Sequence, residues 1–213
     1  MVKRPKFPKT EEEKKEREAQ GLWKAQALAK EVAESEETIS LDCILRIHKR
    51  FFELANPDIA GRFRHDGQDI RKLKYIEPPP GTIVRDKMYE FARNFDVQIA
   101  VIPRRPKGQT RTQERKWLNQ VLDLAAWTQY QITFIHPFCE GNGRMARILT
   151  NLVLRRFGLQ PSDVKHEGTD RDRYIQALGQ IDLYGDYDPL KHLIGTSMLK
   201  TYYLVKHRIS GRS

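Results

Sequence analysis

Cysteine is almost missing from this chain, with Cys43 and Cys139 the only two in 213 residues. So sparse a pair, one member lying inside the chemical motif at 136–147, builds no disulfide framework and fits a reducing compartment. Long apolar runs are missing too. No stretch approaches the roughly 20 residues that a membrane helix needs, and the opening MVKRPKFPKTEEEKK has no apolar middle of a secretory signal. The expectation is a cytoplasmic protein without a membrane partner, with export by a route leaving no N-terminal signal still open. Acidic charge is in deficit: 28 Asp and Glu face 38 Lys and Arg, a net charge of +10. That excess suits a nucleotide, a nucleic acid or an acidic protein and does not choose among them. Part of it lies in Arg104, Arg105, Lys107, Arg111, Arg115 and Lys116, which also read as a solvated basic loop. A hydrophobic fraction of 39% excludes a wholly disordered chain.

Strand signals are scarce as well, and the reading is mainly α. Residues 1–39 form a charged arm, partly helical or disordered, in which Leu22, Trp23, Ala27, Leu28 and Val32 recur at helical spacing and dock on the body. Ser40 is a plausible N-cap for a helix whose Ile44, Leu45, Ile47, Phe51, Phe52 and Leu54 face a core, and Asn56-Pro57 ends it. Ile70 to Ile76 alternates loosely, Pro78-Pro79-Pro80-Gly81 makes a turn, and Thr82-Ile83-Val84 is β-branched, so a small hairpin is predicted there. Further helices are predicted over about 84–98, 113–135, 144–157 with Gly158 as C-cap, 170–183 and 189–207 with Pro189 in the first turn. The folded body is set at 40–207 and a tail at 208–213.

The strongly apolar helix before position 136 should run through the core and deliver the residues at its end to a fixed place. There stands His136-Pro137-Phe138-Cys139-Glu140-Gly141-Asn142-Gly143-Arg144-Met145-Ala146-Arg147, a loop that opens the next helix. Gly141, Asn142 and Gly143 allow positive φ and inward-turned N–H groups, and the next helix aims its free N–H groups at the same spot, so a phosphate chain would bind. Arg144 and Arg147, three apart, share a helix face and can grip phosphate oxygens bidentately. Glu140 is placed to hold a magnesium ion carried by the substrate, whereas zinc lacks a third ligand at suitable spacing. His136 is suited to take a proton from an attacking hydroxyl at neutral pH. Phe138 should anchor the loop in the core.

Those twelve residues resemble the signature of the Fic family, His-x-Phe-x-(Asp/Glu)-Gly-Asn-Gly-Arg-x-x-Arg, and every specified position is filled. The resemblance extends to Gly61-Arg62-Phe63-Arg64 with the hairpin after it, and to Arg171 through Leu190. It implies a Fic-type helical bundle with a small β-hairpin flap over the active site, and transfer of AMP from ATP to a Ser, Thr or Tyr of a protein. By it His136 is the base, Glu140 the magnesium ligand, Gly141, Asn142, Gly143, Arg144 and Arg147 the phosphate site, and Tyr174 either lines the nucleotide pocket or is a core tyrosine. The flap strand Lys72, Leu73, Lys74, Tyr75, Ile76 and Glu77 would pair with an extended segment of the target. Many relatives carry an inhibitory (Ser/Thr)-x-x-x-Glu-(Gly/Asn) helix. No such run stands near either terminus, and Ser162 to Gly168 has its Glu-Gly one residue too late. The chain is then either unrestrained or held through Arg147 by a separate antitoxin-like protein, the second being the expectation. Two alternatives stay open: a related transferase using UMP, phosphocholine or phosphate donors, and a basic nucleic-acid or protein-binding module without catalysis. The second has no need of His136 and Glu140 beside a phosphate nest.

Overall fold

In a computed structural model, residues 7–35, 37–68, 76–105, 108, 110–164 and 168–210 are described, with side chains to residue 206 in the last helix. They form seven helices: α1 Glu11–Glu34, α2 Leu41–Phe52, α3 Gly81–Val101, α4 Arg111–Ile135, α5 Asn142–Arg156, α6 Gly168–Tyr184 and α7 Asp188–Ser210. The mainly α expectation holds. α4 and α5 pack on each other at the centre, α1 lies across α2 and α5, α3 and α7 flank α4, and α6 rests on α7.

The core arises from the spacing of large apolar residues. Val121, Leu124, Ala125, Ile132 and Ile135 of α4 meet Met145, Leu149, Leu152 and Val153 of α5, all essentially removed from water. Each large side chain so buried contributes about 1.5–3 kcal/mol. Helix starts are capped as their sequences allow: the Ser40 hydroxyl accepts from the Cys43 N–H, and Thr110 with Gln113 completes a capping box.

No strand forms among the described residues beyond an isolated bridge at Ile76, so the hairpin flap is not found there. Lys72 to Tyr75, the rest of the predicted flap strand, lie outside the described residues. Thr82-Ile83-Val84, predicted as its second strand, are instead the first turn of α3. β-Branched residues after Pro-Gly look like a strand locally, but Val84, Met88, Phe91, Ala92 and Phe95 are buried at helical spacing, and that burial decides the outcome. Pro80 offers no side-chain cap, and the Asp66 carboxylate accepts from the Thr82 N–H at 3.1 Å in its place.

Within the N-terminal arm, α1 is a 24-residue helix docked on α2 and α5. Its buried face is Gly21, Ala25, Ala29, Val32 and Ala33, while Trp23 is 71% exposed and faces water, contrary to the predicted stripe. Small residues won because α1 approaches α2 closely. A Cβ on Gly21 would fall 1.9 Å from the Phe51 carbonyl oxygen.

Candidate active site

α4 stops because His136 takes the left-handed conformation, φ 50° and ψ 56°, the only non-glycine to do so among the described residues. That conformation costs about 1–2 kcal/mol for a residue with a Cβ, so neighbouring bonds must hold it. The His136 N–H still donates to the Ile132 carbonyl at 3.1 Å, and its Nδ1 lies 3.4 Å from the Thr133 carbonyl. A carbonyl only accepts, so Nδ1 carries the proton and Nε2 keeps its lone pair. Burial holds the His136 pKa below the ordinary histidine value, the bond to Thr133 opposes this, and the positive charge of Arg64 adds to the lowering. The side chain is therefore neutral at pH 7, as a proton acceptor must be.

The loop beyond it is stapled from three sides. Asn142 is buried, its amide donating to the Phe138 carbonyl at 2.7 Å while its Oδ1 accepts from the Phe138 N–H at 2.9 Å. The side chain of Asn142 is thus committed to the loop, and what it can offer a ligand is its backbone N–H at the start of α5. Gly141 has φ 83°, and a Cβ there would sit 2.6 Å from a ring carbon of Phe52, so both backbone and space require glycine. Gly143 is helical, and only one of the two glycines uses the positive φ expected of both.

His48 of α2 supplies the second staple. It is fully buried, accepts the Gly61 N–H on Nδ1 at 3.0 Å, and so donates through Nε2 to the Glu140 carbonyl at 3.2 Å. Its ring stacks flat on Phe138 with centroids 3.7 Å apart. Burial drives the His48 pKa down to about 4. Arg64 is the third staple: its Nε donates to the His136 carbonyl at 2.7 Å and its backbone N–H to the Pro137 carbonyl at 2.9 Å. The Gly61 to Arg64 run, which reads from sequence as part of the flap, lies under the motif.

Thr133, His136, Glu140 to Arg144, Arg147, Arg171, Tyr174 and Ile175 line one cavity of about 540 Å³. The structure thus brings together the whole predicted motif set with Tyr174, whose buried hydroxyl sits 3.4 Å from the Thr133 hydroxyl. Ile76 and Glu77 are not among the lining residues. Glu140 makes no side-chain hydrogen bond or ion pair among the described residues, and no cluster of three metal-binding side chains occurs among them. A single carboxylate lining a cavity beside a glycine turn and two arginines would suit magnesium, which takes most of its oxygens from water and phosphate.

The two arginines differ. Arg147 forms no hydrogen bond or ion pair among the described residues, and burial works against its charge, partly offset by Tyr174 and Asp163. Arg144 donates to the Glu18 carboxylate of α1 at 2.7 Å and lies over the rings of Phe51 and Phe52 at 4.5 and 5.5 Å. Sequence reasoning missed Glu18, His48 and Arg171. Arg171 shares a face of α6 with Tyr174 at i,i+3, a signal that could have found it. Glu18 sits in an unbroken charged run and His48 in an apolar stripe, and neither carries a local mark of its partner.

With this geometry in place, comparison with known proteins assigns the family. The profile of the Fic/DOC family matches residues 38–154, more than half of the chain, and the chain belongs to that family. It is 27% identical over 167 residues to a protein adenylyltransferase Fic of Nematostella vectensis, covering 78% of this chain and 34% of the relative. It is likewise 27% identical over 160 residues to the protein adenylyltransferase fic-1 of Caenorhabditis elegans, covering 74% of this chain and 27% of the relative. The fold is shared with Fic-1 (residues 134–508) of C. elegans at a TM-score of 0.70 and 24% identity, over 94% of this chain and 53% of that one. It is shared with BepC of Bartonella tribocorum with bound AMPPNP at a TM-score of 0.57 and 17% identity, over 89% and 88% of the two chains. The chain spans about a quarter to a third of the length of the curated relatives it matches.

Proposed function

We propose that this chain is a protein adenylyltransferase, moving AMP from ATP to a Ser, Thr or Tyr hydroxyl and releasing pyrophosphate. The observation that carries the reading is the placement of His136, its Nδ1 turned to the Thr133 carbonyl at 3.4 Å, in one cavity with a glycine turn, a helix N-terminus and two arginines. Nε2 takes the proton of the target hydroxyl, whose oxygen attacks the α-phosphorus. The bond from that phosphorus to the bridging oxygen breaks, and its electron pair leaves on pyrophosphate. The N–H groups opening α5, with Arg144 and Arg147, hold the phosphates in line, which with charge neutralisation is most of what phosphoryl-type transfer asks of a protein. Magnesium held at Glu140 would neutralise phosphate charge and fix the geometry of the chain. The names of the adenylyltransferase relatives support ATP as donor.

In this reading the segment from Lys72 to Glu77 docks the target by main-chain pairing, and the protein works in the cytoplasm. No helix of the described residues is long and apolar enough to cross a membrane. A separate antitoxin-like protein would act by occupying Arg147, the arginine left without a partner among the described residues. The test is incubation of wild-type and His136→Ala protein with magnesium and α-labelled ATP, alone and in lysate, read by autoradiography and intact mass. Label or a mass gain of one AMP is expected with wild type alone. Equal labelling by His136→Ala would refute the mechanism, and labelling only by another nucleotide would replace the donor.

A further inference from the structure

Arg64 has no catalytic task in AMP transfer as proposed, yet it is 5% exposed and its guanidinium is spent on backbone carbonyls. Nε donates to the His136 carbonyl at 2.7 Å, and Nη2 donates to the carbonyls of Ile135 at 3.3 Å and Pro79 at 2.5 Å. No carboxylate forms an ion pair with it among the described residues, and Asp66 acts on it only through space. A buried cation in that position needs other compensation. It finds it at the C-terminal end of the 25-residue α4, where the last carbonyls have no intrahelical partner and the dipole is negative.

We infer that Arg64 is a positioning residue for AMP transfer, clamping His136 in its left-handed conformation and coupling that conformation to the segment that leads from Pro79 into α3. The inference rests on the transfer reading. Three features separate this role from that of an ordinary helix cap. The clamped carbonyl belongs to the proton acceptor itself, so any slip turns the imidazole. The fork reaches two elements at once, the end of α4 and Pro79 just ahead of α3. The backbone N–H of Arg64 also fixes the next carbonyl, that of Pro137, at 2.9 Å, so successive peptide units on both sides of the imidazole are held from one residue. A lysine could keep the charge but not the planar fork, and would hold only part of this set.

The test uses Arg64→Gln and Arg64→Lys in the full chain, with kcat and KM for ATP from α-labelled transfer and the His136 tautomer from nitrogen NMR of labelled imidazoles. Wild type should show His136 with Nδ1 protonated and Nε2 bare. Arg64→Gln should mix the tautomers and lower kcat by up to about 100-fold, the scale of a misplaced reacting group, with KM for ATP changed by less than about twofold. Arg64→Lys should fall between, in both readouts. An unchanged tautomer with lost transfer, a raised KM with intact kcat, or loss of folding in both variants would each overturn the proposal, the last by making Arg64 a stability residue. If wild type transfers no AMP, the functional reading fails while the tautomer comparison still decides the clamp.

Discussion

The two ends of the cavity are built on opposite plans. At the His136 end the imidazole and its own carbonyl are fixed by hydrogen bonds from within the fold, through Thr133 and Arg64. At the phosphate end the charges are left to be completed: Arg147 stands without a partner among the described residues, and Arg144 is already held by Glu18. The difference lies in the side chains: on the transfer reading the proton acceptor is held before substrate arrives, whereas the arginines still have to be brought onto it. On that reading a nucleotide arriving at α5 would displace Glu18 or share Arg144 with it, while His136 would keep its place.

The heaviest way to break the contrast is Gly141→Ala, which joins the two ends. Left-handed backbone costs about 1–2 kcal/mol and forced packing against Phe52 about 1–3 kcal/mol, so a loss near 3 kcal/mol and collapse of transfer are expected. Denaturant melts beside the labelling assay would show it, and a fully stable, active variant would mean that the turn is not required. Next is Arg147→Ala, which removes a charge-assisted grip worth about 1.5–3 kcal/mol and should weaken productive ATP binding roughly 10- to 100-fold. Calorimetry with magnesium and ATP reads this directly, and unchanged affinity would remove Arg147 from the site.

Much of this was legible in advance, and the reason it was is contiguity. His136 to Arg147 brings histidine, carboxylate, turn and arginines within one stretch of chain, so their types and order mark the cavity lining before any fold is known. The helices were legible through caps and apolar spacing. What stayed hidden acts across the fold. Arg64 meets His136 from 72 positions away and Glu18 meets Arg144 from 126, and neither contact has a local signature. The residues at 82–84 misled because their propensity is for strands while their burial is helical, and Trp23 misled because α1 docks too closely for a large ring.

Acid should sharpen the contrast from the stability side. His48 is neutral in the fold, its pKa lowered to about 4 from an ordinary 6.5. The unfolded chain binds a proton there that the folded chain refuses, so stability is lost as pH falls below about 6.5, and the loss levels off near 4. The whole window is worth on the order of 3 kcal/mol. Urea melts of wild type and His48→Gln across that range should show the slope reduced in the variant, and an identical slope would assign the acid sensitivity elsewhere. The smallest effect is expected from Glu18→Gln. The pair with Arg144 is partly exposed, and such pairs are worth under about 1 kcal/mol, so ATP affinity should rise only a few-fold, and less in high salt. Weaker ATP binding in this variant would show that Glu18 supports Arg144 instead of competing for it.

Phe52 belongs to α2 and lines no part of the cavity, yet its ring is the floor both for the glycine turn and for the Arg144 guanidinium. Position 52 is therefore not free to drift. A smaller side chain there would open room beside residue 141 without relieving its backbone requirement, and would leave Arg144 without part of its stack. Sequence change at 52 should then be accompanied by change at 144 or 18 far more often than at 141, so the constraint set by the cavity extends to a helix that does not line it.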